Sequence, residues 1–329
     1  MKHVRNDKLR VINPAFAGNA VDSRGRFVDE RYPFVPGLVA VLKWKLAGDR
    51  RKEEKRKDTW KVDVLDPSDF LLSDDDGIMW LGHASFYIRI GGVAIITDPI
   101  FGNPRFLTRL VPVASQLDDI KQLDYVLISH DHRDHMDENS LKAITAKFPN
   151  ATLIAGLRSE DLLAKWKTST NKLLTAGWFQ EYDTGDPRVT IYFMPARHWA
   201  RRGLLDTNRR LWGSYIIHVG GKTIFFSGDS AYSDHYREAG ELFAIDYFIL
   251  GIGAYEPRWF MQPIHGNPAD AVQGFIDAKA GVLIPMHYGT FDLSDEPPGQ
   301  PLRDLREAAK AAGIEDKIHP LAINEALLT

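Results

Sequence analysis

His130-Asp131-His132-Arg133-Asp134-His135 is the stretch on which the fold of this chain turns, because it sets four potential metal ligands within six residues. It reads His-x-His-x-Asp-His and follows a short apolar run, Tyr125-Val126-Leu127-Ile128, that reads as a buried strand. Imidazole nitrogens and carboxylate oxygens are the donor set for zinc and similar first-row divalent ions. Ligands placed just past a strand stand on a loop that is rigid at its root and open at its tip. The alternative, a charged surface turn rich in histidine, accounts for one or two of these residues but not for the pattern.

Outward from this motif the chain alternates strand-like and helix-like runs. Ile78-Met79-Trp80-Leu81 and Phe86-Tyr87-Ile88-Arg89-Ile90 read as strands, with Gly91-Gly92 as a tight turn. Val93-Ala94-Ile95-Ile96-Thr97 reads as the return strand and ends at Asp98-Pro99. The same order recurs in residues 215–219, Gly220-Gly221 and 222–226, ending at Ser227-Gly228-Asp229. Two such units suggest a chain built from two similar halves, although unrelated hairpins produce the same pattern. Residues 141–148 have helical spacing, 152–155 read as a strand, and 159–167 as a helix capped by Ser159. Residues 246–251 and 282–285 read as buried strands, and 268–280 as a helix with Pro268 in its first turn. Mixed elements with ligands at strand ends predict an α/β fold of sheets covered by helices.

Composition bounds the function. The 329 residues are 44% hydrophobic and 26% charged, which suits a globular protein with a sizeable core. With a net charge of −3 there is no global positive field to collect nucleic acid, so no nucleic-acid partner is expected. Cysteine is absent, so disulfides are impossible and any metal site is built from nitrogen and oxygen. Met1 to Asp7 has no apolar signal region, and no run reaches the roughly 18 apolar residues that span a bilayer. The expectation is a soluble, cytoplasmic protein. Residues 1–75 differ in texture and read as an N-terminal extension packed on a domain of residues 76–329. Within the extension, residues 35–46 are apolar with Trp44 and two lysines at one end, and residues 49–57 are a charged run. Residues 32–57 therefore have two readings: a helix packed on the domain, or a segment lying peripherally on the inner face of a membrane.

Three more ligand candidates occupy equivalent places. His198 follows the apolar run 191–195, Asp229 follows 223–226, and His287 follows 282–286. The order His-x-His-x-Asp-His, then His, then Gly-Asp, then His resembles the metallo-β-lactamase fold hydrolases, from about Ile78 to the C-terminus. Narrower stretches are similar to the branch containing N-acyl-phosphatidylethanolamine-hydrolysing phospholipase D. They are Trp80-Leu81-Gly82-His83-Ala84, Thr97-Asp98-Pro99-Ile100-Phe101, Leu211-Trp212-Gly213-Ser214, Ile252-Gly253-Ala254-Tyr255-Glu256-Pro257-Arg258-Trp259-Phe260-Met261 and His287-Tyr288-Gly289-Thr290-Phe291. The first 75 residues match loosely, although Pro36 to Lys45 is similar to an apolar Pro…Leu-x-Trp segment of that branch.

The resemblance implies an αββα sandwich of two mixed β-sheets flanked by helices. It implies that His130, His132 and His198 hold one metal, that Asp134, His135 and His287 hold a second, and that Asp229 bridges both. Two Zn²⁺ are expected, with iron or manganese admitted by the same donors. Cations about 3.5–4 Å apart lower the pKa of a shared water, so a hydroxide bridging them is the implied nucleophile. Asp134 and His265 are the candidate catalytic residues, His265 as a phosphate-oxygen partner or a proton donor to a leaving alkoxide. Asp98 is expected behind the histidine loop, orienting imidazoles, and Tyr255 and Arg258 as substrate or supporting contacts. His83 is explained equally well as a packed core residue. The implied reaction is hydrolysis of a phosphodiester, with N-acyl-phosphatidylethanolamine-like phospholipids as the substrate class. The alternative is a lactonase or other ester hydrolase, since the same nucleophile attacks a carbonyl. Oligomeric state is not legible.

Overall fold

The computed structural model describes residues 1–49, 51–113, 117–166, 168 and 172–329, so Arg50 of the charged run and Lys167 at the end of an expected helix lie outside the described residues. The chain begins with a small antiparallel sheet of β1 (Lys2–Val4), β2 (Asn19–Val21) and β3 (Phe27–Val28). Three short helices follow: α1 (Leu38–Ala47), α2 (Lys52–Lys57) and α3 (Ser68–Leu72). This segment is tied to the rest by bridges from Val11 to Gln180 and from Val64 to Ile323.

Next come β4 (Gly77–Gly82), β5 (Ser85–Ile90), β6 (Val93–Thr97), β7 (Thr108–Arg109), β8 (Tyr125–Ile128), α4 (Glu138–Lys147), β9 (Thr152–Gly156), α5 (Glu160–Trp166) and β10 (Leu173–Ala176). The second half runs through β11 (Gln180–Glu181), β12 (Val189–Met194), β13 (Ser214–Val219), β14 (Lys222–Phe226), α6 (His235–Leu242), β15 (Tyr247–Gly251), α7 (Arg258–Met261), α8 (Pro268–Asp277), β16 (Val282–Met286), β17 (Phe291–Asp292), α9 (Gln300–Ala312) and β18 (Ala326–Leu328). A seven-stranded sheet has the order β10-β9-β8-β6-β5-β4-β18, and a six-stranded sheet the order β11-β12-β13-β14-β15-β16. Both are mixed. β6, β8, β9 and β10 are mutually parallel, as are β14, β15 and β16, while their remaining neighbours are antiparallel.

The two Gly-Gly repeats become the turns of β5–β6 and β13–β14, one in each sheet. Gly91 and Gly92 have φ of 57° and 73°, and Gly220 and Gly221 have 55° and 74°. Positive φ at both central residues gives the type I′ turn that matches strand twist. The strands bury side chains by alternation. Ile78, Trp80, Phe86, Ile88, Ile95 and Leu127 point to the core shared with the six-stranded sheet. Met79, Leu81, Tyr87, Ile96, Val126 and Ile128 point the other way, onto Leu141 and Ile144 of α4 and Leu162, Leu163 and Trp166 of α5. On the far side, Tyr236 of α6 and Phe275 of α8 pack on Phe248 of β15. The result is helices, sheet, sheet, helices, as expected for the metallo-β-lactamase fold.

Helix starts obey local chemistry. Asp137 caps α4 by accepting from the Ser140 N–H, and Asn267 and Asp270 form a capping box at α8, where Pro268 opens the helix. α4 and α8 thus begin a few residues after candidate ligands, and the loops that carry those ligands lie beyond the ends of β8, β12, β14 and β16.

Candidate metal centre

The histidine loop leaves β8 through Ser129, which is wholly buried. Asp98, at the end of β6, reaches across to it. Its Oδ1 accepts the Ser129 N–H (2.7 Å), and its Oδ2 accepts the Ser129 hydroxyl (2.6 Å) and His135 Nδ1–H (2.7 Å). The Ser129 Oγ in turn accepts His130 Nδ1–H at 2.9 Å. Asp98, directly and through Ser129, therefore holds the Nδ1 side of two imidazoles and turns their Nε2 atoms toward the other candidate ligands. His198 donates Nδ1–H to the Ile264 carbonyl (2.8 Å), with the same consequence. Gly228 explains the tight approach of the next loop: a Cβ there would lie 2.6 Å from Ser129 Cβ. Only glycine lets Asp229 come so close.

The free donors converge in two groups. His130 Nε2 is 2.8 Å from His132 Nδ1, which is 3.2 Å from His198 Nε2, and Asp229 Oδ2 is 3.7 Å from both Nε2 atoms. In the second group His135 Nε2 is 3.4 Å from Asp134 Oδ2 and 3.2 Å from Asp229 Oδ2. His287 Nε2 is 3.6 Å from Asp134 Oδ2 and 3.0 Å from Asp229 Oδ1. Bonds of about 2.0–2.1 Å to a tetrahedral zinc imply donor–donor edges of roughly 3.3 Å, and these separations scatter about that value. Among the converging donors, His135 Nε2 and His287 Nε2 are buried without hydrogen-bond partners. Buried polar atoms are seldom left so. The residues present fit a pair of divalent cations, with Asp229 common to both groups.

The two groups differ in charge. Burial, then the neighbouring imidazoles, holds His130 well below the usual histidine range, and burial takes His132 down to about 3 and His198 to about 4. These three are neutral donors. Burial also opposes charge on His135 and His287, but Asp229 and Asp134 outweigh it, raising His135 well above the usual value and His287 to about 9. Against burial, His135 holds both Asp134 and Asp229 well below the carboxylate range. In the second group, protons on the two imidazoles stand where a cation's charge would.

His265 lies on the loop between α7 and α8, its ring centroid 5.0 Å from that of His198 and 5.4 Å from that of His287. Burial lowers its pKa well below the usual range, so it is a neutral imidazole. Arg258 holds this loop from behind, donating to the His265 carbonyl (3.3 Å) and pairing with Asp270 (3.0 Å). Tyr255 is buried, is not among the cavity-lining residues, and donates its hydroxyl to Asp304 of α9 at 2.7 Å. His83, readable from sequence as a core residue, is buried and also places Nε2 3.1 Å from Asp134 Oδ2.

The donors form the floor of a cavity of about 550 Å³, whose lining includes His132, Asp134, Asp229, His265 and His287. One wall is apolar, with Val41 and Trp44 of α1 against Trp199, Phe260, Met261 and Ile264. Trp44 stacks on Phe260 with centroids 5.1 Å apart. Arg133, Arg201 and Arg202 supply a cationic wall. Sequence reading missed these arginines and Trp199, because nothing in their spacing ties them to the cavity. It also missed Arg210, which pairs with Asp131 of the histidine loop (2.9 Å), Asp161 (2.7 Å) and Asp206 (3.0 Å).

A sequence profile of the beta-lactamase superfamily domain matches residues 94–288. The chain is similar to N-acyl-phosphatidylethanolamine-hydrolyzing phospholipase D 1 of Caenorhabditis elegans, 31% identical over 300 residues that cover 83% of each chain. It is similar to a metal-dependent hydrolase of Archaeoglobus fulgidus, 30% identical over 247 residues, covering 73% of this chain and 94% of the relative. Among solved structures, a metallo hydrolase of Ignicoccus hospitalis superposes with a TM-score of 0.59 at 20% identity, over 77% of this chain and 98% of that one.

Proposed function

The chain belongs to the beta-lactamase superfamily and is a metal-dependent hydrolase, and from that premise we propose that it is a dinuclear phosphodiesterase of the phospholipase D type. The observation that supports this most is the mixed lining around the donors: Arg133, Arg201 and Arg202 together with the aromatic and aliphatic Trp44, Trp199, Phe260 and Met261. An anionic head with apolar chains matches both, and N-acyl-phosphatidylethanolamine has that form.

His130, His132 and His198 would hold one divalent cation, and Asp134, His135 and His287 a second, with Asp229 within reach of both groups; bound there, such ions would supply Lewis-acid charge and a water of lowered pKa. The protein's own part is orientation. Asp98, Ser129 and the Ile264 carbonyl fix the imidazoles before substrate arrives, which spares reorganisation during reaction. Arg133 and Arg201 receive non-bridging phosphate oxygens as paired donors. His265, neutral and at the cavity wall, offers an N–H to the oxygen on which charge grows as the bond to phosphorus breaks. Trp44, Phe260 and Met261 accept the acyl chains.

The same reading extends to a membrane contact. Val39 and Leu46 of α1 are 80% and 83% exposed, and Leu204 and Leu205 beside the arginines are 85% and 89% exposed. Lys43 lies over the half-exposed Trp259 ring at 5.0 Å. Apolar side chains with cations between them suit an anionic lipid surface. Among the described residues no helix is long and apolar enough to cross a membrane.

The test is mass-spectrometric analysis of zinc-loaded protein incubated with N-acyl-phosphatidylethanolamine in detergent micelles, with and without chelator. Paired, chelator-sensitive release of phosphatidic acid and N-acylethanolamine is expected. Release of free fatty acid instead, or turnover of lactones alone, contradicts the proposal and favours an ester hydrolase.

A further inference from the structure

Asp134 has a neighbour outside the ligand set. His83 stands on the turn between β4 and β5, where strand pairing shifts register after Trp80, and its φ is a left-handed 54°. A residue bearing a side chain adopts that conformation only when its surroundings hold it there. Three hydrogen bonds do so. The His83 N–H donates to Thr290 Oγ1 (2.8 Å), and its carbonyl accepts from Trp80 Nε1 (3.0 Å) and from the His287 main-chain N–H (3.1 Å). The ring is fully buried, 4.1 Å between centroids from His287, and its Nε2 lies 3.1 Å from Asp134 Oδ2 in hydrogen-bonding geometry.

The nitrogens around that oxygen do not behave alike. His135 Nε2 and His287 Nε2 approach it at 3.4 and 3.6 Å, make no hydrogen bond and have no other hydrogen-bond partner. An ion that displaces their protons finds both atoms without a competing partner. His83 Nε2 is engaged with the carboxylate itself.

We propose that His83 is the positioning residue of the second metal site: its Nε2–H donates to Asp134 Oδ2 and sets the carboxylate at the angle at which it joins His135 and His287 in holding a divalent cation. A carboxylate oxygen has a second lone pair, so the same atom accepts and coordinates. Because the His83 carbonyl also receives the His287 N–H, the positioning group and one ligand form a single unit. The inference rests on the dinuclear reading of the site but on no substrate.

Metal content and chelator-competition affinity, measured for wild type, His83→Ala and His83→Gln beside thermal unfolding, test it. Wild type is expected to hold two ions. His83→Ala keeps the first and binds the second about 10–100-fold more weakly, and the glutamine amide N–H recovers most of that loss. A folded His83→Ala chain that binds both ions like wild type overturns the proposal. A cobalt-loaded His83→Gln spectrum that has lost a nitrogen donor also overturns it, because His83 is then a ligand. Should His83→Ala fail to fold, the glutamine variant decides: two ions with the wild-type cobalt spectrum and near-wild-type affinity support the role, and a second ion weakened about tenfold or more contradicts it. Wild-type protein holding a single ion would sink the dinuclear reading and this role together, whereas failure to turn over lipid touches neither.

Discussion

Asp229 presents its two carboxylate oxygens to imidazoles from different strand ends, Oδ2 at 3.2 Å from His135 Nε2 and Oδ1 at 3.0 Å from His287 Nε2. Asp229→Ala is expected to lower metal affinity by more than about 100-fold and to remove turnover, since a ligand weighs more than the groups behind it; wild-type metal content in that variant contradicts the assignment. His265→Ala is expected to keep both ions and lose about 100-fold in kcat, read at saturating substrate. Protonation gives a further check on the metal-free chain. His287 is raised to about 9 from 6.5, so its contribution to stability is full below pH 6.5 and fades as pH rises through 9. His132 and His198, lowered to about 3 and about 4, act oppositely, because the unfolded chain alone takes up their protons as pH falls from 6.5. Chelator-treated protein should resist urea best near neutral pH and weaken on both sides, and added metal should remove the alkaline limb. A profile flat from pH 5 to 9.5 (about the range spanned by these shifts) tells against the charge pattern. The donors were legible because each stands just past an apolar strand. His83 was not, since a lone histidine in a Gly-His-Ala turn has no informative spacing and meets Asp134 only through tertiary packing. Tyr255 shows the converse: its place in a family-like stretch did not tell that its hydroxyl would meet Asp304 of α9.

At the scale of elements, α1 is the least ordinary piece. Its inner side, Ala40, Val41 and Trp44, packs on Phe260, Met261 and Ile264, while Val39, Leu42 and Leu46 remain exposed. The two sequence readings of residues 32–57 were a packed helix and a membrane-lying one; the inner side accords with the first, and the exposed side keeps the second open. Apolar residues on both sides leave no periodicity to choose between them. Trp44→Ala is expected to raise KM for a long-chain lipid about tenfold and leave a water-soluble diester unaffected, since a stacked aromatic wall is worth about 1 kcal/mol or more. Equal losses on both substrates would place Trp44 in support of the floor rather than in the wall. Arg210 ties the histidine loop to α5 and to the loop carrying Leu204 and Leu205, through Asp131, Asp161 and Asp206. Arg210→Met leaves Asp131 buried without its cation and is expected to cost about 3–5 kcal/mol in denaturant unfolding. A cost below about 1 kcal/mol, the range of exposed pairs, contradicts that role.

Across the whole molecule, the strand–Gly-Gly–strand repeat placed one hairpin in each sheet, and the sheets face each other through alternate residues such as Trp80, Phe86, Phe193 and Tyr215. That much follows from period and turn chemistry. The order of strands within each sheet, and the way residues 1–75 supply a wall of the cavity, depend on long-range contacts that no local pattern encodes. The assembled molecule sets a donor pair beneath arginines and an apolar surface, and the central claim is that attack falls on phosphorus rather than on a carbonyl. Hydrolysis of N-acyl-phosphatidylethanolamine in heavy-oxygen water, followed by mass spectrometry of every product, tests it most directly. Heavy oxygen in phosphatidic acid, with none in the N-acylethanolamine or in free fatty acid, is the expected result. Heavy oxygen in a fatty acid, with the phosphodiester intact, would contradict it.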